Sequence, residues 1–271
     1  MSRQARATDA AAWGSGLEGK RAVVTGAGSG IGLAVVSALV ANEVEVLGVD
    51  LAVDALDAVT RATGIVQDLR DHQSGSSIAA SARAVLGGVD LLVNAVGVQP
   101  VHEQGFLSID DADWLASFQV NFLSAVRTCR AIIPLLQDAG GGSIVNVGSI
   151  AAREPAVLSP DYAAAKAALL SLTKTISVEF GGQRIRCNLV APGPTLTPVF
   201  TAWIESLAAR NAVSYDEELA RFITTRRRMA LPHAGQPSDV ANAVVFLASD
   251  LAGQITGSEL RVDGGALQSI L

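Results

Sequence analysis

Residues 159 to 166 read SPDYAAAK, a tyrosine and a lysine four apart with only alanine between them. Alanine is the strongest helix former, and positions i and i+4 of a helix share a face, so Tyr162 and Lys166 point the same way. A free phenol titrates at about pH 10 and serves as a general acid or base near neutrality only where positive charge stabilises its phenolate. Lys166, one turn away, supplies that charge. An isolated pair of this kind is more often an ordinary exposed helix face, so its meaning rests on what else converges on it.

A second chemical signal lies at residues 25 to 39, TGAGSGIGLAVVSAL, where glycines fall at 26, 28, 30 and 32 as an apolar strand turns into a helix. Glycine lets the backbone take positive φ and approach a phosphate closely, while the helix start offers free N–H groups. A pyrophosphate fits, which favours dinucleotide binding over a plain tight turn. The next strand, VEVLGVD, ends in Asp50. That is about 20 residues past the loop, where a carboxylate can accept hydrogen bonds from the adenosine ribose hydroxyls. It would repel a 2′-phosphate, and no Arg or Lys stands in the loop or just after Asp50 to offset this, so NAD is expected over NADP. The alternative for Asp50 taken alone is a surface cap of the following helix.

These residues need a scaffold. From Lys20 onward, short β-branched runs alternate with longer Ala/Leu-rich stretches of helical period, the pattern of a parallel sheet covered on both faces. The fold class is α/β, a single doubly wound domain over residues 19–271, with a flexible tail over 1–18. Strands are predicted at Arg21 to Thr25, Val44 to Val49, Ile65 to Gln67, Leu91 to Asn94, Ser143 to Val147, Ile185 to Val190 and Glu259 to Val262. Long helices are predicted at Trp114 to Leu136 and Tyr162 to Phe180. An excursion over about residues 196–234 reads as a lid. Its Phe200, Trp203, Ile204 and Leu207 either cover a substrate or pack on the core.

The chain as a whole resembles a short-chain dehydrogenase/reductase, from Gly16 to the C-terminus. TGAGSGIG matches the family's T-G-x-x-x-G-I-G, Asp68-Leu69 its adenine-contacting pair, VNAVG its N-N-A-G strand end, QVNFLSA its helix asparagine, IVNVGS its serine, and APGPTLTP its nicotinamide-gripping segment. One departure is Ala95 with Val96 in place of Asn-Ala. The resemblance implies catalytic roles for Asn121, Ser149, Tyr162 and Lys166. It implies a cofactor set of Gly26, Ser29, Gly30, Ile31, Gly32, Asp50, Leu51, Asp68, Leu69, Asn94, Ala95, Gly97, Pro192, Gly193, Thr195 and Thr197, with Tyr162 and Lys166 shared. Lys166 would also hold the nicotinamide ribose, and Asn121 a relay water. The implied activity is NAD-dependent interconversion of a secondary alcohol and a ketone, in a homo-oligomer expected to be a tetramer. Reduction of a 3-oxoacyl group is an alternative, and so is a catalytically silent dinucleotide-binding sensor or partner subunit, which should lack one of the four catalytic residues.

Composition narrows the partners. The 271 residues are 49% hydrophobic with net charge −6, and Arg226-Arg227-Arg228 is too short a basic run to hold a polyanion, so nucleic acid is not expected. No apolar run reaches the length of a membrane span and no signal-peptide pattern opens the chain, which points to the cytoplasm. Cys129 and Cys187 sit in apolar segments, as buried thiols do, and His72, His102 and His233 lack metal-ligand spacing, so no metal is expected.

Overall fold

Strand β1, Arg21–Thr25, places four buried residues in a row, as a strand does when both of its faces are covered. The computed structural model describes residues 16–269. After β1 come α1 (Gly30–Ala41), β2 (Glu45–Asp50), β3 (Ala62–Val66), α2 (Ser74–Leu86), β4 (Leu91–Asn94), α3 (Asp111–Phe118) and α4 (Ser124–Asp138). Then follow β5 (Gly142–Val147), α5 (Pro160–Phe180), β6 (Ile185–Pro192), α6 (Pro198–Asn211), α7 (Tyr215–Arg221), α8 (Pro237–Ala248) and β7 (Glu259–Val262). The strands form one parallel sheet in the order β3-β2-β1-β4-β5-β6-β7. The winding reverses between β1 and β4, and beyond the carboxyl ends of those two strands lies the crevice in which open α/β sheets hold ligands.

The two faces are covered by different helices. On one, α1 and α8 bury Val35, Val36, Leu39, Val240 and Val244 against β1 and its neighbours. On the other, α2 and α4 bury Ile78, Ala82, Ile132 and Leu136. Of the tail expected over 1–18, residues 1–15 lie outside the described residues, while Leu17 is 1% exposed within the first of these clusters.

Two expectations shift in register. The third strand runs over 62–66 rather than 65–67, because it is an edge strand whose burial is partial and whose Gly64 packs on Val53, so it lacks the apolar run that marks a covered strand. The helical run predicted from Trp114 to Leu136 is α3 and α4 joined by a π-turn at Gln119–Leu123, which carries Asn121. Single π-turns inside helices are frequent at functional sites.

The excursion after β6 is helical and has its own small core. Thr197 caps α6 by accepting from the Phe200 N–H, and Ser214 with Glu217 forms a capping box on α7. Ile204, Leu207, Phe222 and Ile223 are buried together, with Phe200 and Trp203 packed on them. The four residues left open between cover and core therefore pack on the insertion itself. Arg226 does not face solvent alone, since it and Arg221 pair with the buried Glu218.

Candidate active site

The glycine loop follows β1 into the crevice and is pinned to β2, with Gly26 N–H and Ala27 N–H both donating to the Val49 carbonyl. Gly30 has φ +53, and a Cβ on Gly32 would fall 1.8 Å from the Gly26 carbonyl oxygen, so the turn cannot be built with side chains. Ser29 is the N-cap of α1 without a side-chain cap, and the first turn holds no acidic residue. The first N–H groups of α1 therefore have no capping partner, and a pyrophosphate fits a helix start of this kind. Ile31 follows within the same turn. Asp50 ends β2 with its carboxylate turned onto this loop, accepting from Gly28 N–H at 2.8 Å and Leu51 N–H at 2.6 Å.

The other cofactor candidates lie around the same strand ends. Asp68 is half-buried and forked by Arg70, which holds its carboxyl below the usual carboxylate range. Leu69 is buried, and its carbonyl takes Arg127 at 3.0 Å. Asn94 points inward, donating to Asn146 at 2.8 Å and accepting from Thr128 at 2.5 Å, so only its main chain is left for the crevice. Ala95 N–H bonds Thr25 O in the position where the family places its second asparagine. Pro192 ends β6 opposite Val262, Gly193 N–H continues the ladder by donating to Val262 O, Thr195 bridges Gly235, and the Thr197 methyl lies 3.3 Å from where a Cβ on Gly30 would stand. The segment thus reaches across to the glycine loop.

Tyr162, Ser149 and Lys166 converge. Ser149 follows β5, with its hydroxyl accepting from Ala151 N–H. Tyr162 and Lys166 rise from the third and seventh positions of α5, both buried. Burial pushes the Tyr162 phenol up, and a hydrogen bond with Ser149 draws it part of the way back. Burial lowers the Lys166 ammonium to about 8. That ammonium stands 5.7 Å from the Tyr162 ring centre and donates to the carbonyls of Val147 at 3.0 Å and Val96 at 3.3 Å. These two carbonyls carry no sequence signal, since every residue has one. Asn121 uses its amide on the Val98 peptide, accepting from its N–H and donating to its C=O, both at 2.9 Å, and donates further to Ser117. One lone pair of its Oδ1 remains for a water. Gly97 lies between Lys166 Nζ and Asn121 Oδ1, at 3.3 and 3.7 Å from the position of a Cβ.

Cys129 and Cys187 are buried free thiols, Cys129 pushed up to about 12 by burial, so neither is a nucleophile at neutral pH. Among the described residues no helix is long and apolar enough to cross a membrane.

A family model described as Enoyl-(Acyl carrier protein) reductase matches residues 26–266. The chain is 35% identical to the 2,3-dihydro-2,3-dihydroxybenzoate dehydrogenase of Bacillus subtilis over 93% of its own length and 97% of that protein. It is 34% identical to galactitol 2-dehydrogenase (L-tagatose-forming) of Cereibacter sphaeroides, over 92% and 95%. Among solved structures, L-sorbose reductase from Gluconobacter frateurii, complexed with NADPH and L-sorbose, superposes with a TM-score of 0.89 at 30% identity, covering 94% of this chain and 99% of that one.

Proposed function

The chain belongs to the short-chain dehydrogenase/reductase family, and on that premise we propose that it moves hydride between NAD(H) and the secondary alcohol or ketone carbon of a small hydroxylated substrate, with Tyr162 as acid and base. Its class is oxidoreductase, and the family binds a nicotinamide dinucleotide. The observation that carries the reading is the meeting of Ser149, Tyr162 and Lys166 beside the crevice onto which the glycine loop opens.

When bound, the nicotinamide supplies the hydride acceptor or donor. The protein handles the proton and the geometry. In oxidation, Tyr162 as phenolate takes the hydroxyl proton of the substrate, and in reduction the phenol returns it. Burial raises the pKa of the phenol and so keeps it protonated in the free protein, and positive charge must arrive before it can act as a base. Lys166 supports that step, oriented by two carbonyls. Ser149 donates to the substrate oxygen as charge develops on it. Thr195 and Thr197 orient the nicotinamide carboxamide, Asn121 holds the relay water, and the helical insertion over 196–234 closes on the substrate.

Asp50 supports NAD for this chain, although the sorbose reductase relative is described with NADPH. Galactitol, sorbose and the dihydroxylated benzoate named in the relatives are all polyhydroxylated, which supports a substrate with more than one hydroxyl. A silent sensor is disfavoured because none of Asn121, Ser149, Tyr162 and Lys166 is missing.

The test is cofactor reduction with NAD against linear and cyclic secondary alcohols and polyols, comparing wild type with Tyr162→Phe. The variant is expected to bind NAD normally and to lose about three decades of turnover. Turnover above about a tenth of wild type would remove Tyr162 from the role.

A further inference from the structure

Two titratable side chains that the proposed chemistry leaves unused meet beside Tyr162. Asp161, the preceding residue, is fully buried in the first turn of α5. Nε2 of His102, a residue 14% exposed at its side chain, lies 3.2 Å from Asp161 Oδ1. By hydrogen-bond geometry His102 Nε2 and both Asp161 oxygens are left without a partner among the described residues, so this 3.2 Å approach is the polar contact on which the carboxylate depends. A buried carboxylate left unpaired is strongly destabilising, so the approach of Nε2 to Oδ1 is the contact available to hold Asp161 in place.

His102 reaches that point on a segment laid along the same helix. Gly97 lies against Lys166 Nζ. Asn121 then grips both polar groups of the Val98 peptide. Ser159 Oγ accepts from Gln99 Nε2 at 3.3 Å and donates to Pro100 O at 2.6 Å, and His102 N–H donates to Leu158 O at 2.8 Å. The segment therefore runs from the level of Lys166 back to that of Asp161, about 7.5 Å of helix rise, and passes Tyr162 on the way. Its next residue, Glu103, pairs with Arg210 on α6, which ties the same strap to the insertion.

We propose that the buried Asp161–His102 pair is a positioning device, pinning the strap Gly97–Glu103 to α5 and so fixing the Tyr162 phenol relative to Ser149. Neither residue touches the reacting atoms. Both act through Tyr162, so the proposal rests on the acid/base reading of that residue.

Asp161→Asn and His102→Gln are close in shape to the native side chains and should fold. They are compared with His102→Ala, with the double variant His102→Ala/Asp161→Asn and with Tyr162→Phe, using NAD and the best secondary alcohol from the screen. Asp161→Asn and His102→Ala are each expected to lower kcat by about tenfold or more, with KM for NAD changed by less than about twofold. The double variant should lose no more than either single one, because the pair acts as a unit. His102→Gln, whose amide can donate to Asp161, should recover turnover to within about threefold of wild type. A second readout needs no substrate: with three histidines in the chain, nitrogen-15 NMR resolves each ring, and His102 should carry its proton on Nε2 at about pH 8 in wild type and lose that preference in Asp161→Asn.

Single variants within about twofold of wild-type kcat, losses that multiply in the double variant, or a bare Nε2 facing the carboxylate would each overturn the proposal. An inactive Tyr162→Phe beside unimpaired pair variants defeats the positioning role alone. An active Tyr162→Phe defeats the acid/base reading, and with it the positioning role, whatever the NMR result says of the pair.

Discussion

The proposed choice of NAD over NADP turns on one side chain, Asp50. Its carboxylate already braces the glycine loop through Gly28 N–H, and its remaining lone pairs can accept the adenosine ribose hydroxyls in charge-assisted contacts worth roughly 1.5 to 3 kcal/mol. A 2′-phosphate loses those contacts and adds like-charge repulsion, and Ser29 in the loop is neutral. The ratio of kcat/KM is expected to favour NAD by about a hundredfold or more, and Asp50→Ala should remove most of the preference by weakening NAD. Equal use of NADP by wild type would contradict this. Lys166 yields a second expectation, with the sign set by burial. Its ammonium falls to about 8 when folded against about 10.4 unfolded, so between those values the folded state binds fewer protons and stability rises with pH. Wild type should gain about 2 kcal/mol over Lys166→Met between about pH 7.5 and about pH 9.5 in urea unfolding, and parallel curves for the two proteins would refute it. Tyr162, Ser149 and Lys166 were legible from the sequence because their side-chain types carry the chemistry. The Val96 and Val147 carbonyls that hold Lys166, and the Asp161–His102 contact, were not, because they exist only once distant segments meet.

Among the strands, burial on both faces makes the sequence signal plain, while the two edge strands behave differently from each other. β1 and β4, inside the sheet, fall where they are expected, and so does the edge strand β7, whereas the other edge strand, β3, paired only with β2, begins three residues before its apolar stretch. The π-turn at Asn121 left no mark, since a helix that gains one residue keeps its composition while turning a side chain toward Val98. The insertion was visible as a break in the alternation, but its small separate core was not. That core makes a prediction. Phe222 stands edge-on to Trp203 and Phe200, at ring separations of 5.3 and 5.5 Å, in a cluster distinct from those packed on the sheet. Phe222→Ala removes roughly 3 to 5 kcal/mol of packing, and the loss should fall on the insertion rather than on the sheet. Limited proteolysis within residues 198–226 should quicken by about two decades while the midpoint of global unfolding moves by only a few degrees. Cleavage at the wild-type rate would mean that the insertion is held from elsewhere, and that its proposed closing motion has no local hinge.

At the scale of the whole molecule, the surface leaves apolar area unaccounted for by the monomer. Leu107 is 96% exposed, beside Phe106 at 63% and Leu115 at 66%, and the Phe106 ring meets Trp114 at 6.4 Å, so these residues gather at the start of α3. Val178, 73% exposed, adds a large side chain on α5. Scattered surface leucines need no explanation, but a contiguous group around a nearly bare leucine does. Leu115 lies on α3, which runs into the π-turn that carries Asn121, and Val178 lies on α5 with Tyr162, so a face buried there would stiffen the elements that position the site. Closed symmetry is the ordinary way for a soluble chain to cover such a face. We therefore expect a homo-oligomer, a tetramer, when the protein is measured by light scattering at micromolar concentration. Leu107→Glu with Leu115→Glu should shift the mass toward smaller species by placing unpaired charge in the contact, with little change in the melting of the separated subunits because both side chains are exposed. A wild-type monomer at that concentration, or an unchanged mass in the double variant, would show that the patch is not the contact between copies.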